Sequence, residues 1–323
     1  MKDQFGRNID YLRISITDRC NLRCEYCMPE ELPFISHNDI LRYEEILRIC
    51  ELLVTVGINT VRVTGGEPLI RKGCIDFLGM LKEIPGIEHV SLTTNAVLLE
   101  PELEKLRKMN LDSINISLDS LNSDTYKRIT GQDYLERVLK AIYTATKLGL
   151  QVKINCVPII GVNDSEIVEV ARLAEKYPVH VRFIELMPTS QNRGLHGVTA
   201  NEILKTLSEV YEDLSNDQIK HGFGPAKYFT GSELKGSLGI INAVSDHFCS
   251  ECNRLRLTSD GFLKLCLYHD DGLDLRDMIR SGESDNEIIT AIKNSIFNKP
   301  LRHHFEKETE ENSGIKKMSR IGG

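Results

Sequence analysis

Apolar residues recur along the chain at two spacings, and segments of the two kinds alternate. "YLRISIT", "NTVRVT", "EHVSLTTN", "SINISLD", "LQVKINCVPI" and "VHVRFIELMP" alternate apolar and polar positions or run continuously apolar, and they predict six strands. Between them "RYEEILRICELLVTVG", "CIDFLGMLKEI", "PELEKLRKMN", "LERVLKAIYTATKLG", "SEIVEVARLAEKY" and "ANEILKTLSEVY" space their apolar residues for helices. The first of these ends on a glycine stop and the third opens with proline, both ordinary helix boundaries. Six strand–helix repeats imply a parallel sheet with right-handed crossovers, either open and doubly wound or curved into a partial barrel. The chemically unusual residues fall at strand ends: a cysteine loop, "TGGEP", "TTN", "SLD", "KIN" and "IELMP". Barrel folds collect their active sites there, so the coincidence favours an α/β incomplete (β/α)6 TIM-like barrel with one pocket fed by every strand.

The pattern then changes. "LGIINAV" and "RLRLTSDGFLKLCLY" predict antiparallel strands with "SDG" as a hairpin turn, followed by "DLRDMIRSG", the helical "NEIITAIKNSIFN" and a charged tail ending "SRIGG". The expected organisation is a partial barrel over 1–225 and a C-terminal α+β segment over 226–323 that closes it.

Composition sets the class. The chain has 323 residues, enough for one large core or a large domain and a small one, and 41% hydrophobic with 27% charged residues is ordinary for a soluble protein. No apolar run nears the ~20 residues that span a bilayer, and "MKDQFGRNID" lacks a signal-peptide core, so the expectation is cytoplasmic and without a membrane partner. A net charge of −7 argues against nonspecific nucleic-acid binding but allows a local cationic pocket. Nine cysteines in a reducing compartment point to metal ligation and buried thiols rather than disulfides.

Six of the nine form two sets of three. Cys20, Cys24 and Cys27 are spaced Cys-x3-Cys-x2-Cys after the first strand. Cys249 and Cys252 precede the hairpin and Cys266 lies on its return strand, so the turn gathers them. Structural zinc and closed iron–sulfur sites want four ligands; three leave an open corner where chemistry can occur. A zinc knuckle with a distant fourth ligand is the rival for the first set, and a Cys3His zinc site completed by His247 or His269 for the second. Cys50, Cys74 and Cys156 sit in helix or strand patterns and read as small buried hydrophobes.

The first triad, with Tyr26 before its last cysteine, and "GGEP" after the second strand resemble the radical S-adenosylmethionine (SAM) superfamily. The second triad and the terminal Gly322 and Gly323 narrow the resemblance to the molybdenum-cofactor biosynthesis protein A family, the GTP 3',8-cyclases, over essentially the whole chain. The resemblance implies a [4Fe-4S] cluster on each triad, SAM on the open iron of the first, and GTP on that of the second. It implies hydrogen abstraction from C3' of GTP and closure onto C8 of guanine, as the first step of molybdenum cofactor synthesis. The implied partners are a downstream cyclic pyranopterin monophosphate synthase and a reductant such as flavodoxin or ferredoxin, for a monomer or homodimer.

Carried onto this chain, the resemblance implies cofactor contacts from Tyr26, Gly65, Gly66, Glu67, Pro68, Ser117, Asn155 and Met187, with Asn95 a weaker candidate. Glycines suit a close backbone approach to a ligand. Arg13, Arg62, Lys153 and Arg182 are basic residues inside otherwise apolar strands; a cation there costs several kcal/mol unless paired, so a bound polyanion is a fitting partner. Arg254 and Arg256 alternate onto one face of a strand, where a nucleotide beside the second triad would meet them. With Arg13 they are the candidate catalytic residues, and Thr93, Gly322 and Gly323 complete the implied substrate contacts. Position 60, often basic in the family, is threonine here. Two rivals remain: a radical SAM peptide-modifying enzyme with an auxiliary cluster, and a non-enzymatic iron–sulfur electron carrier. "GFGPAK" lacks the spacing of a phosphate loop, and the Gly-Gly end does not make this long β/α chain a ubiquitin-like modifier.

Overall fold

A computed structural model describes residues 1–28, 34–188, 192, 194–245 and 248–302. His247, Gly322 and Gly323 lie outside them. The described strands are β1 (Tyr11–Ser15), β2 (Thr60–Thr64), β3 (His89–Thr94), β4 (Ser113–Ser117), β5 (Val152–Cys156), β6 (His180–Ile184), β7 (Ser215–Asn216), β8 (Lys227–Thr230), β9 (Ser237–Ile241), β10 (Arg254–Leu257), β11 (Phe262–Lys264) and β12 (Gly272–Asp274). The helices are α1 (Tyr43–Val54), α2 (Cys74–Glu83), α3 (Leu103–Lys108), α4 (Ser123–Thr130), α5 (Leu135–Lys147), α6 (Ile167–Ala171), α7 (Leu173–Lys176), α8 (Ala200–Ser208), α9 (Leu275–Ser281) and α10 (Asp285–Phe297). None is long and apolar enough to cross a membrane.

The chain forms two compact units. The first takes Met1–Asn21, Cys27–Leu92 and the chain from Cys249 onward. Its strands run in the order β12-β11-β10-β1-β2-β3. Leu12, Ile14, Val61, Val63, Val90, Leu92, Leu255, Leu257 and Leu263 share one face by alternation and are buried, 0–1% exposed. Hydrophobic burial of this face, at about 25 cal/mol per Å² of apolar surface, drives the assembly. The second unit takes Leu22–Tyr26 and Thr93–Phe248, with strand order β4-β5-β6-β9-β8-β7. Ile114, Ile116, Val152, Ile154, Val181, Phe183, Leu238 and Ile240 form its apolar face. The opposite face of each sheet carries the polar residues.

Several elements differ from expectation. The "LGIINAV" strand, expected antiparallel, is β9; it pairs parallel with β6 and antiparallel only with β8. The "RLRL" strand, β10, pairs parallel with β1 and antiparallel with β11 across the predicted hairpin. Both therefore extend the parallel sheet. A single sequence shows which face a residue takes but not which strand lies beside it. The "PELEK" helix opens as a 3-10 turn, Glu100–Glu102, and "SEIVEVARLAEKY" breaks at Arg172 into α6 and α7. Helix α4 is additional: Asn122 Oδ1 accepts from the N–H groups of Asp124 and Thr125 at its start, and Gly131, φ 73°, ends it. The boundary expected at 225/226 falls just ahead of β8.

Candidate active site

On the polar face of the first unit, register turns separate arginines into a row. Arg256, Arg13 and Arg62 are in-register partners on β10, β1 and β2, and Lys264 on β11 opposes Arg256. Like charges directly opposite on neighbouring strands repel. Burial, then Arg256, Arg62 and Arg254, hold the Arg13 guanidinium well below its ordinary value, and burial with Arg254 brings Arg256 down to about 10. Arg62 Nε donates to Ser91 Oγ at 3.3 Å, and its guanidinium lies 5.5 Å from the Tyr11 ring centroid. Arg254 stands one row away, in register with Tyr11. Lys264 is answered by Asp270, 3.0 Å from Nζ.

In the second unit two further rows cross the polar face. Asn115, Lys153, His180 and Ser237 form one; Ser117, Asn155, Arg182 and Gly239 form the next. Arg182, 3% exposed, donates through Nη2 to Asn115 Oδ1 at 2.5 Å. Two of the predicted contact residues carry buried oxygens with no hydrogen-bond partner: Thr93 Oγ1 and Asn155 Oδ1. Leaving such atoms buried and unsatisfied costs about 1–3 kcal/mol each, and a polar ligand on these faces would satisfy them.

The first cysteine loop is held from several sides. Arg23 N–H donates to Thr130 O and Glu25 N–H to Ile129 O, which ties the middle of the loop to the end of α4. Tyr26 Oη donates to Asp119 Oδ2 at 2.8 Å, while Val157 N–H donates to Asp119 Oδ1 at 2.9 Å. The N–H groups of Gly66 and Glu67 donate to Thr17 O and Arg19 O, both at 2.7 Å. A Cβ on Gly66 would collide with the Arg19 carbonyl, and one on Gly65 would come within 2.7 Å of Thr17 O. The close approach these glycines permit in the structure is thus to the backbone leading into Cys20. Glu67, 1% exposed, accepts from Leu69 N–H and starts the turn at Pro68. Met187 follows β6, its carbonyl held by Asn192 Nδ2 at 2.8 Å, and Asn95 Oδ1 accepts from Val97 N–H.

All six triad cysteines are half-buried, and Cys50, Cys74 and Cys156 are buried. Burial alone would raise the Cys252 thiol, but Lys299, Arg254, a backbone hydrogen bond and Arg7 bring it below its ordinary value, which favours the thiolate that binds iron. Among the described residues no three Cys, His, Asp or Glu side chains stand close enough to hold a single metal ion. A four-iron cluster spreads its thiolates over separate irons. Soft sulfur donors in threes suit such a cluster. His269 is engaged elsewhere, its Nε2 hydrogen-bonded to Arg302 O at 3.0 Å.

Models of two families match the chain in succession, the Radical SAM superfamily over residues 14–174 and Molybdenum Cofactor Synthesis C over 179–305. Proteins called GTP 3',8-cyclase from Clostridium perfringens (strain SM101 / Type A) and Desulforamulus reducens are 44% and 43% identical to it, each alignment covering 100% of both chains. The chain belongs to the GTP 3',8-cyclase family of radical SAM proteins. Solved structures support the fold: anSMEcpe with bound AdoMet superposes with TM-score 0.61 at 18% identity over 96% of this chain and 87% of that one. SuiB of Streptococcus suis bound to S-adenosylmethionine gives 0.63 at 14% identity over 88% and 68%. The expected fold class, a radical SAM α/β core of the incomplete TIM-like barrel type, is met.

Sequence reasoning missed Asp119 and Glu185, although both stand in the "SLD" and "IELMP" strand ends. Glu185 accepts from Ala200 N–H, Val244 N–H, Ser245 N–H and Ser245 Oγ, which fixes the chain just before the second cysteine set. Asp119 is the anchor for Tyr26. Burial raises its carboxyl from 3.8 to about 6, against the lowering effect of its bonds from Val157 and Tyr26. Because the folded value is raised, its contribution to stability is present at low pH and is lost as pH rises through about 6. The expected result is that Asp119→Asn gains stability relative to wild type between pH 4 and pH 8, by on the order of 2–3 kcal/mol. Urea unfolding at both pH values measures this, and a pH-independent difference between the two proteins would refute it.

Proposed function

We propose that the chain converts GTP to (8S)-3',8-cyclo-7,8-dihydroguanosine 5'-triphosphate, the first step of molybdenum cofactor biosynthesis. The observation that carries the reading for this chain is the in-register row Arg256–Arg13–Arg62, a concentration of charge that a triphosphate would neutralise. The full-length relatives of the same name support it.

In this reading Cys20, Cys24 and Cys27 hold one [4Fe-4S] cluster, and Cys249, Cys252 and Cys266 hold a second. The clusters, with SAM, supply the electron transfer and hydrogen abstraction that no side chain can perform. The protein binds and orients. Tyr26, Gly65, Gly66, Glu67, Pro68, Ser117, Asn155 and Met187 hold SAM. Arg13, Arg62, Lys153, Arg182 and Thr93 take the phosphates and ribose of GTP. Arg254 and Arg256 take the nucleotide beside the second triad, and the tail glycines Gly322 and Gly323 help to position it. Such fixed geometry is worth much of the barrier, since a misplacement of about 1 Å can cost on the order of a hundredfold. The segment over 226–323 carries the second triad, and the product passes to a cyclic pyranopterin monophosphate synthase.

Equilibrium binding of GTP to the anaerobically reconstituted protein tests the substrate assignment. Arg62→Ala and Arg182→Ala are each expected to weaken binding about tenfold or more, because a charge-assisted contact is worth roughly 1.5–3 kcal/mol. Arg172→Ala is the control: its guanidinium is exposed and pairs with Glu169 at 3.0 Å. Equal affinities for all three variants would remove the phosphate assignment.

A further inference from the structure

One cluster on the polar face of the second unit is not used by this reading. His180 opens β6 in register with Lys153 on β5 and Ser237 on β9, and by alternation it shares a face with Arg182. Its Nδ1 is hydrogen-bonded with Ser237 Oγ at 2.8 Å. The His221 ring lies against it, centroids 4.1 Å apart and planes 32° apart, and Tyr228 stands edge-on to both rings. His221 Nε2 in turn meets Asp217 Oδ2 at 2.6 Å. The next residue, Gly222, has φ 115°, and any Cβ there would strike Lys153 Nζ. Residues 217–222 therefore fold over this row and hold two imidazoles beside two cations.

That arrangement opposes a charge on His180. The groups acting on His180 are His221, Lys153 and Arg182, which oppose a charge on it, and Asp217, which favours one. Burial, then His221, Lys153 and Arg182, bring its imidazole down to about 3, so it is neutral at physiological pH. A polyanion arriving beside Lys153 and Arg182 reverses the sign of the local field and makes a protonated imidazole favourable.

We propose that the His180–His221 pair is a further polyphosphate-binding element of the nucleotide site, which takes up a proton when a phosphate chain binds beside Lys153. This rests on the reading that GTP is the substrate. Asp217 orients His221, whose ring stacks on His180, and favours a positive charge on His180. Proton uptake ties affinity to pH: binding tightens as pH falls from 8 to 6, by up to about tenfold per unit for one linked proton.

Calorimetric titration of the cluster-loaded protein with GTP, in two buffers of different ionisation heat at pH 7, counts the protons taken up. Wild type is expected to take up about half a proton or more beyond His180→Gln and beyond His221→Gln; the difference cancels the nucleotide's own titration. Inorganic triphosphate is the second probe and should show the same difference, and guanosine should show none. Equal proton counts in wild type and both variants, with either phosphate probe, overturn the proposal. If triphosphate shows the difference while GTP fails to bind, the element stands and the GTP reading falls. Thermal midpoints of the two variants, expected to match wild type, show that the loss is not one of folding; if both variants unfold, a wild-type triphosphate affinity that does not change from pH 6 to pH 8 overturns the proposal on its own.

Discussion

Cys24→Ser is expected to abolish formation of 5'-deoxyadenosine from SAM, while Cys252→Ser retains some cleavage of SAM and loses the cyclised nucleotide. The two cysteines are alike in chemistry and differ in place. Cys24 sits in the loop whose neighbours Arg23 and Glu25 are tied to the backbone of Thr130 and Ile129. The tethers do not involve the thiol, so serine leaves the loop in position and removes only the soft donor that iron requires. Cys252 closes the turn Phe248–Glu251 through its N–H to Cys249 O at 3.2 Å, a bond that serine also keeps. It stands next to Arg254 and Arg256, the residues assigned to the nucleotide. Loss there should therefore disturb substrate and not SAM. Iron per chain gives a second readout: each variant should hold about half the iron of wild type if each triad carries a tetranuclear cluster. Equal loss of SAM cleavage in both well-folded variants would end the division of labour.

Arg7→Ala is expected to cost about 3–5 kcal/mol of stability, because it leaves the buried Asp3 carboxylate without its ion pair, held only by the N–H groups of residues 5 and 7. Arg7 and Asp3 are 7% and 5% exposed and meet at 2.6 Å between Nε and Oδ2. The two remaining nitrogens of the guanidinium serve four carbonyls: Nη1 donates to Cys249 O and Leu301 O at 2.9 and 3.0 Å, Nη2 to Lys299 O and Pro300 O at 3.2 and 2.8 Å. One side chain thus joins the start of the chain, the second cysteine set and the exit toward the tail. Lys299, 1% exposed, continues the clamp by donating to Arg254 O and to Leu265 O, beside Cys266. The thermal midpoint should fall by on the order of 10 °C. Arg7→Lys should rescue little, since an ammonium cannot present a planar fork to so many acceptors. The reconstituted alanine variant should also lose iron from the second triad before the first. A midpoint within about 1 °C of wild type would mean that the clamp is decorative.

Much of the site was legible in the sequence because its signals are local. Cysteine spacing is set by a few residues of chain, and "GGEP" needs only its own backbone. The alternation of "YLRIS", "TVRVT" and "RLRL" already puts each arginine on the face opposite the apolar residues, since period two is a property of any strand. Glycine at 65 and 66 was readable as a close approach, though what approaches in the structure is the backbone of residues 17–19.

The tertiary structure decided which strands are neighbours, and with that the chemistry of the face. Arg13, Arg62 and Arg256 are far apart in sequence, and only the parallel pairing of β10 and β2 with β1 sets them side by side. The same holds for His180 and His221, for Asp119 under Tyr26, and for Arg7 beneath Cys249. None of these partners is within a helix turn or a hairpin of the other, so no local periodicity encodes the contact. Strand order and register are chosen by the burial of whole apolar faces, and the polar residues opposite are carried into contact by that choice.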